Sequence, residues 1–248
     1  MKGSFVNSNE KNWNSDDGNK RDRYPIEPIE KHMPILFENI HEWLLQDQNR
    51  QRQINHLNRY FGGNYSGKLF EYFAGRSESK VFTPWDILAV ESLSVSVPPA
   101  TAKWLLEPDE VRDGYLDIAN KHFVDSDVTL WGCDQALIGD KSELSKLYDL
   151  LRLQPGLGYV TTSKLMAAKF PRIVPIRDSQ VELLLGLQNE ESWWSTFRVL
   201  FKETAPGLAE HLDGLPVPNE AGQVTTLRRL DVILWMEAKA RTMGRADT

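Results

Sequence analysis

The sequence is poor in cysteine: Cys133 is the single one among 248 residues. That excludes an intrachain disulfide and any multi-cysteine zinc or iron–sulfur site. No apolar run approaches the roughly 18 residues that a membrane-spanning helix needs. No apolar segment at the N-terminus resembles a signal peptide, so a cytoplasmic protein without membrane contact is expected. Histidine is sparse, and His32, His41, His56, His122 and His211 show no metal-ligand spacing. Neither a metal nor a cofactor is implied. The Gly-rich run Gly62-Gly63-Asn64-Tyr65-Ser66-Gly67 lacks the Lys-Ser/Thr ending of a P-loop, and reads first as a turn. Strand candidates are few and short, Val95–Val97 and Val128–Trp131 among them.

What is present is enough to build a core. Apolar residues make up 41% of the chain, with eight Trp, ten Phe and seven Tyr. Residues 1–24 are polar and are expected to form a disordered tail. Residues 25–245 are expected to form a single, mainly α domain. Thr83-Pro84-Trp85-Asp86 is a helix start, with Thr83 as cap and Pro84 at the first helical position. Helical spacing begins after Ile35, and the polar run Gln46–Gln53 marks a solvated middle or a break. Asp140–Leu153 reads as an amphipathic helix, and Thr161–Phe170 as the next, capped by Thr161 or Thr162. Asp178-Ser179 opens a third helix. Thr226–Arg241 reads as a C-terminal helix, where one of Arg228 and Arg229 faces solvent and the other pairs with Asp231 or Glu237.

Charge is uneven. The net charge is −6, which argues mildly against a nucleic-acid partner. Residues 141–181, however, carry seven basic and three acidic groups, the one strongly basic stretch of the chain. Within it lies Leu153-Gln154-Pro155-Gly156-Leu157-Gly158-Tyr159-Val160-Thr161-Thr162-Ser163-Lys164-Leu165. A helix ends, Gly-hydrophobe-Gly turns tightly, and a second helix starts at once. Gly156 and Gly158 can take positive φ, and Leu157 can plug the gap between the helices. The free N–H groups at the second helix start form a ready anion site, positioning a protein on DNA without reading sequence.

This run resembles the helix-hairpin-helix of the base-excision DNA glycosylases, over residues 141–170. The resemblance continues through Phe170-Pro171-Arg172-Ile173-Val174-Pro175-Ile176-Arg177-Asp178-Ser179-Gln180-Val181, similar to the segment where those enzymes place an Asp before the next helix. It implies a glycosylase-like helical fold of two lobes, the hairpin at the mouth of the groove and duplex DNA as partner. The phosphate contacts it implies are Gly156, Leu157, Gly158, Val160, Thr161 and Lys164. It also implies a catalytic role for Asp178, stabilising charge on the sugar or activating water. The strand-cutting members carry a Lys where this chain has Val160, so Schiff-base chemistry is not implied. A wider stretch, about Phe61 to Arg241, resembles an uncharacterised bacterial family of unknown function found mainly in high-GC Gram-positive bacteria. Its signatures here are Phe82-Thr83-Pro84-Trp85-Asp86-Ile87-Leu88-Ala89-Val90, the hairpin with Ser163-Lys164-Leu165, Val174-Pro175-Ile176-Arg177-Asp178-Ser179 and Leu227-Arg228-Arg229-Leu230-Asp231-Val232-Ile233-Leu234-Trp235. That likeness implies no activity.

Each candidate has a plainer role beside the functional one. Asp178 serves equally as an N-cap. Gly156 and Gly158 also suit a turn without ligand, and Lys164 a solvated surface. Trp193-Trp194 and Trp235 suit the core as well as stacking on an extruded base. Two function classes therefore stand side by side. One is a DNA-binding protein, in its sharper form a monofunctional base-excision enzyme. The other is a non-catalytic scaffold on a degenerate glycosylase-like core, its protein partner unnamed.

Overall fold

Helix signals dominate the chain, and helices are what form. A computed structural model describes residues 35–123, 127–188 and 192–243, all within one unit spanning Lys31–Thr248. The expected polar tail, residues 1–24, and the outer ends of the expected 25–245 domain lie outside the described residues. The described residues hold no strand. They form α1 (Ile40–Leu45), α2 (Asp47–Gly62), α3 (Phe70–Ala74), α4 (Pro84–Ser92), α5 (Pro99–Leu106), α6 (Glu110–Phe123), α7 (Glu143–Arg152), α8 (Tyr159–Lys169), α9 (Ser179–Leu185), α10 (Trp193–Val199), α11 (Leu208–Asp213) and α12 (Thr226–Met243).

Local chemistry sets most boundaries. The Asp86 carboxylate accepts the Thr83 N–H at 2.7 Å and the Thr83 hydroxyl at 3.0 Å, while Pro84 opens α4. Ser142 accepts the Ser145 N–H at 3.1 Å, so α7 starts at Glu143 rather than Asp140. The polar run after Leu45 is a break: Gln46 is extended, with φ −69° and ψ 126°, and α2 begins at Asp47. The stretch Val128–Trp131 makes one backbone bond outward, Leu130 N–H to Arg172 O at 2.9 Å, too little for a ladder.

The expected α8 boundary shifts. Its N-cap is Gly158, extended at φ −69° and ψ 172°, and the helix already runs at Tyr159. Thr161 and Thr162 are buried inside it.

Helix α8 sits at the centre. From Thr161 to Lys169 every residue is buried, and α8 packs against α3, α4 and α7. Several of its polar side chains are bonded inside the protein, while the buried Thr162 hydroxyl has no partner among the described residues. Ser163 Oγ donates to Pro175 O at 3.2 Å and accepts the Arg177 N–H at 2.8 Å. Helix α12 lies across α2, α9 and α11, burying Leu230, Val232, Ile233 and Leu234. Of the two arginines at its start, Arg228 pairs with Asp231 and Arg229 is half-buried. Arg228 is buried, and Arg229 donates to the carbonyls of Leu212, Leu215 and Val224. No helix among the described residues is long and apolar enough to cross a membrane.

Candidate nucleic-acid interface

The turn between α7 and α8 is built by two backbone conformations. Gly156 is left-handed, at φ +77°, which favours glycine. A Cβ there would also meet the Pro98 ring, 2.3 Å from its Cγ. Gly158 differs from the expected positive φ. It is extended, and a Cβ on it would meet nothing within 4 Å. The turn is held from α5, where Thr101 Oγ1 donates to Pro155 O at 2.6 Å. Leu157 is buried between the helices, while Leu153, Gly156, Gly158 and Tyr159 are exposed.

No side chain caps the start of α8. The Thr162 N–H reaches Gly158 O at 3.0 Å, and the N–H groups before it precede the intrahelical ladder. With the helix dipole behind them they suit an anion. Among the residues predicted to touch phosphate, Gly156, Gly158 and half-buried Val160 lie at this opening. Leu157 and Thr161 are buried.

Lys164 is placed elsewhere. Its side chain is 4% exposed, and its Nζ lies 3.5 Å from Asp178 Oδ2 and 3.1 Å from Leu93 O. It sits one turn beyond Val160, on the same face of α8, and is neither solvated nor at the turn. Asp178 divides its two oxygens. Oδ1 accepts the Gln180 N–H at 2.9 Å as the N-cap of α9, and Oδ2 faces Lys164.

A buried charge network continues from that pair, and of it only the Arg228–Asp231 pairing is signalled locally in the sequence. Arg228 of α12 donates to Asp231, to Glu71 Oε1 at 2.7 Å, to Tyr60 Oη at 2.9 Å and to Gly67 O at 2.9 Å. Burial lifts the Asp231 carboxyl to about 6, against the lowering effect of Arg228, and the charge of Asp178 adds to the rise. Burial likewise raises the Tyr60 phenol. Asp178 and Asp231 are thus within electrostatic reach, with Lys164 and Arg228 as their cations.

The basic stretch proves to be largely paired within the chain, with three of its pairs buried and two, Lys146–Glu143 and Arg172–Asp127, at the surface. Lys146 pairs with Glu143 (3.1 Å), Lys164 with Asp178 (3.5 Å), Lys169 with Asp86 (2.8 Å), Arg172 with Asp127 (2.8 Å) and Arg177 with Glu182 (2.5 Å). Of its seven cations, Lys141 and Arg152 are the two without an ion pair among the described residues. No group of three His, Cys, Asp or Glu side chains among those residues could hold a metal.

The helices and this network define an all-α protein organised around a buried central helix. The chain belongs to a family of unknown function (DUF6308), whose profile matches residues 53–238. Neither the curated proteins nor the solved structures give a match.

Proposed function

We propose that this protein binds duplex DNA through its backbone, holding a phosphate at the start of α8. One observation carries the reading: Gly158 presents an exposed, uncapped helix start directly after the left-handed turn at Gly156. The contact set is the backbone at Gly156, Gly158 and Val160, without the buried Thr161 and Lys164 side chains. A base-excision role without strand cleavage is the sharper form of the proposal. There Asp178, half-buried and turned toward Lys164, stabilises positive charge on a sugar or activates water.

Because only two cations of the basic stretch lie outside ion pairs among the described residues, the salt dependence should be shallow. A slope of log affinity against log salt of roughly −1 to −2 is expected, as for one or two phosphate contacts. The test is a gel shift with intact, mismatched and abasic duplexes across a salt series, repeated with Gly158→Asp. Asp is a good N-cap and there is room for it, so the fold should hold while its charge repels phosphate. Binding that weakens with salt and is lost in Gly158→Asp supports the proposal. No binding at low salt overturns it. The internal pairing of five cations favours a second reading, a non-catalytic scaffold that contacts protein, and that outcome would leave it standing.

A further inference from the structure

A second concave site lies beside the α7–α8 turn. A cleft of about 240 Å³ is bounded by one face of α7 and the start of α10. That is near the lower end of small-molecule sites, roughly 300 Å³, so it suits one ring system rather than a longer ligand.

The walls have three characters. Tyr148 and Trp194 meet edge to face, their ring centres 5.5 Å apart, and both line the cleft while only partly buried. Trp193, by contrast, belongs to the core. Arg177 also lines the cleft, but its guanidinium is committed. It lies over the rings of Tyr159 (4.6 Å) and Trp193 (5.2 Å) and pairs with Glu182. At the rim, Asp149 and Arg152 are both exposed, and neither forms an ion pair among the described residues. Arg152 is thus one of the two unspent cations of the basic stretch, and the one that lines this cleft.

Aromatic faces take a planar ring. A carboxylate accepts hydrogen bonds and donates none, so Asp149 selects a ring that carries N–H groups. The free guanidinium takes an anion, and its planar fork suits phosphate. A planar ring with an amino group, joined to a phosphate, is the combination that a nucleotide offers.

We propose that the cleft between α7 and α10 binds one amino-bearing nucleotide, its base against Tyr148 and Trp194, its amino group toward Asp149 and its phosphate at Arg152. Cytosine, adenine and guanine carry that exocyclic amino group, and thymine presents only a carbonyl in its place. The same chemistry is offered by a free nucleotide and by an unpaired residue of a single strand. The site does not depend on duplex binding at the α8 start, because it has its own walls and its own cation.

Calorimetric titration of the full chain tests this with deoxycytidine monophosphate, thymidine monophosphate, deoxycytidine and inorganic phosphate. Deoxycytidine monophosphate is expected to saturate, with thymidine monophosphate and inorganic phosphate each about tenfold weaker or more. Tyr148→Ala and Trp194→Ala should each weaken binding roughly fivefold or more, the loss of one stacking partner. Arg152→Gln and Asp149→Asn are exposed changes that should leave the fold intact. The first should weaken the monophosphate and not deoxycytidine, and the second should remove the preference over thymidine monophosphate. Gly158→Asp should leave nucleotide binding unchanged, which separates this site from the duplex proposal. A short oligo-deoxycytidine binding more tightly than the monophosphate identifies a strand as the source, and the reverse identifies a free nucleotide. No saturable heat at the solubility limit overturns the proposal. So does equal affinity for the two monophosphates, or affinity unmoved in both Arg152→Gln and Tyr148→Ala.

Discussion

Asp178 faces Lys164 across 3.5 Å while its other oxygen caps α9. One side chain therefore both starts a helix and neutralises an amine 4% exposed in the central helix. The two roles separate by substitution. Asp178→Asn keeps a capping oxygen and removes the charge, leaving Lys164 without its counter-ion. Asp178→Ala removes both. Urea unfolding should show Asp178→Ala less stable than Asp178→Asn by about 1 kcal/mol, the worth of a cap. Both should fall below wild type, because Lys164 keeps only the Leu93 carbonyl. Equal stability of the two variants would show that the cap contributes nothing.

The two glycines of the α7–α8 turn are expected to respond in opposite ways. Gly156→Ala places a Cβ on a left-handed residue and drives it into the Pro98 ring. A loss of about 1 kcal/mol for the conformation is expected, with more for the clash. Gly158→Ala meets open space at an ordinary φ, and should lie within about 0.5 kcal/mol of wild type. Thermal unfolding of the two variants side by side checks this, and a Gly158→Ala variant as damaged as Gly156→Ala would contradict the turn geometry.

Local signals carried much of the helix reading, and distant partners account for what escaped it. The Thr83–Asp86 start and the Asp178 cap are contained within three or four residues, so their chemistry is visible in the sequence. The fate of the basic stretch is not. Arg172 finds Asp127 45 residues away and Lys169 finds Ser77 92 away, and outside that stretch Arg228 finds Glu71 157 away, separations with no periodic trace. Helix α8 misleads for another reason. Thr161, Thr162 and Lys164 suggest a capped, solvated face, but the helix is covered on all sides, and polar residues on a fully buried helix look like surface residues in sequence. Thr161 and Thr162 are good caps by type, yet Leu157 is drawn into the core and fixes the chain so that helix begins right after Gly158. The all-α class survives this, because it rests on the scarcity of strand patterns rather than on any one face.

Two buried carboxylates should give stability opposite dependences on pH. Glu237 receives Arg52, His56 and Arg241 at 2.7, 2.9 and 2.7 Å. Burial alone would raise its pKa from the usual 4.5, but His56, Arg52 and Arg241 outweigh it and hold it at about 2. A lowered folded pKa contributes stability above the unfolded value that is lost as pH falls from about 5 toward 2, here roughly 3 kcal/mol. Asp231 is raised by burial from 3.8 to about 6, so the folded state binds the extra proton and stability falls as pH rises from about 4 to 6. Glu237→Gln should flatten the acid limb below pH 4, and Asp231→Asn the decline between pH 4 and 6. Urea midpoints across pH 2.5–7, the range set by these two carboxyls, check both. Variants that change stability by a constant amount at every pH would contradict the assignment.

Lys169 ties a loop to the core at the end of α8. Its Nζ lies 2.7 Å from Ser77 Oγ, 2.6 Å from Glu78 O, 2.5 Å from Val81 O and 2.8 Å from the buried Asp86 carboxylate. Burial lowers its pKa, and Asp86 opposes the drop. Removing the amine leaves a fully buried carboxylate without its cation and two carbonyls without a donor, so Lys169→Met is expected to cost about 3–5 kcal/mol. The pair should also be coupled. In the Lys169→Met, Asp86→Asn double variant the stranded charge is gone, and part of that loss should return even though Asn also weakens the α4 start. A double-mutant cycle by urea unfolding reads the coupling. Strictly additive losses would mean that the loop is held by the carbonyl bonds alone, with the Lys169–Asp86 charge pair contributing nothing.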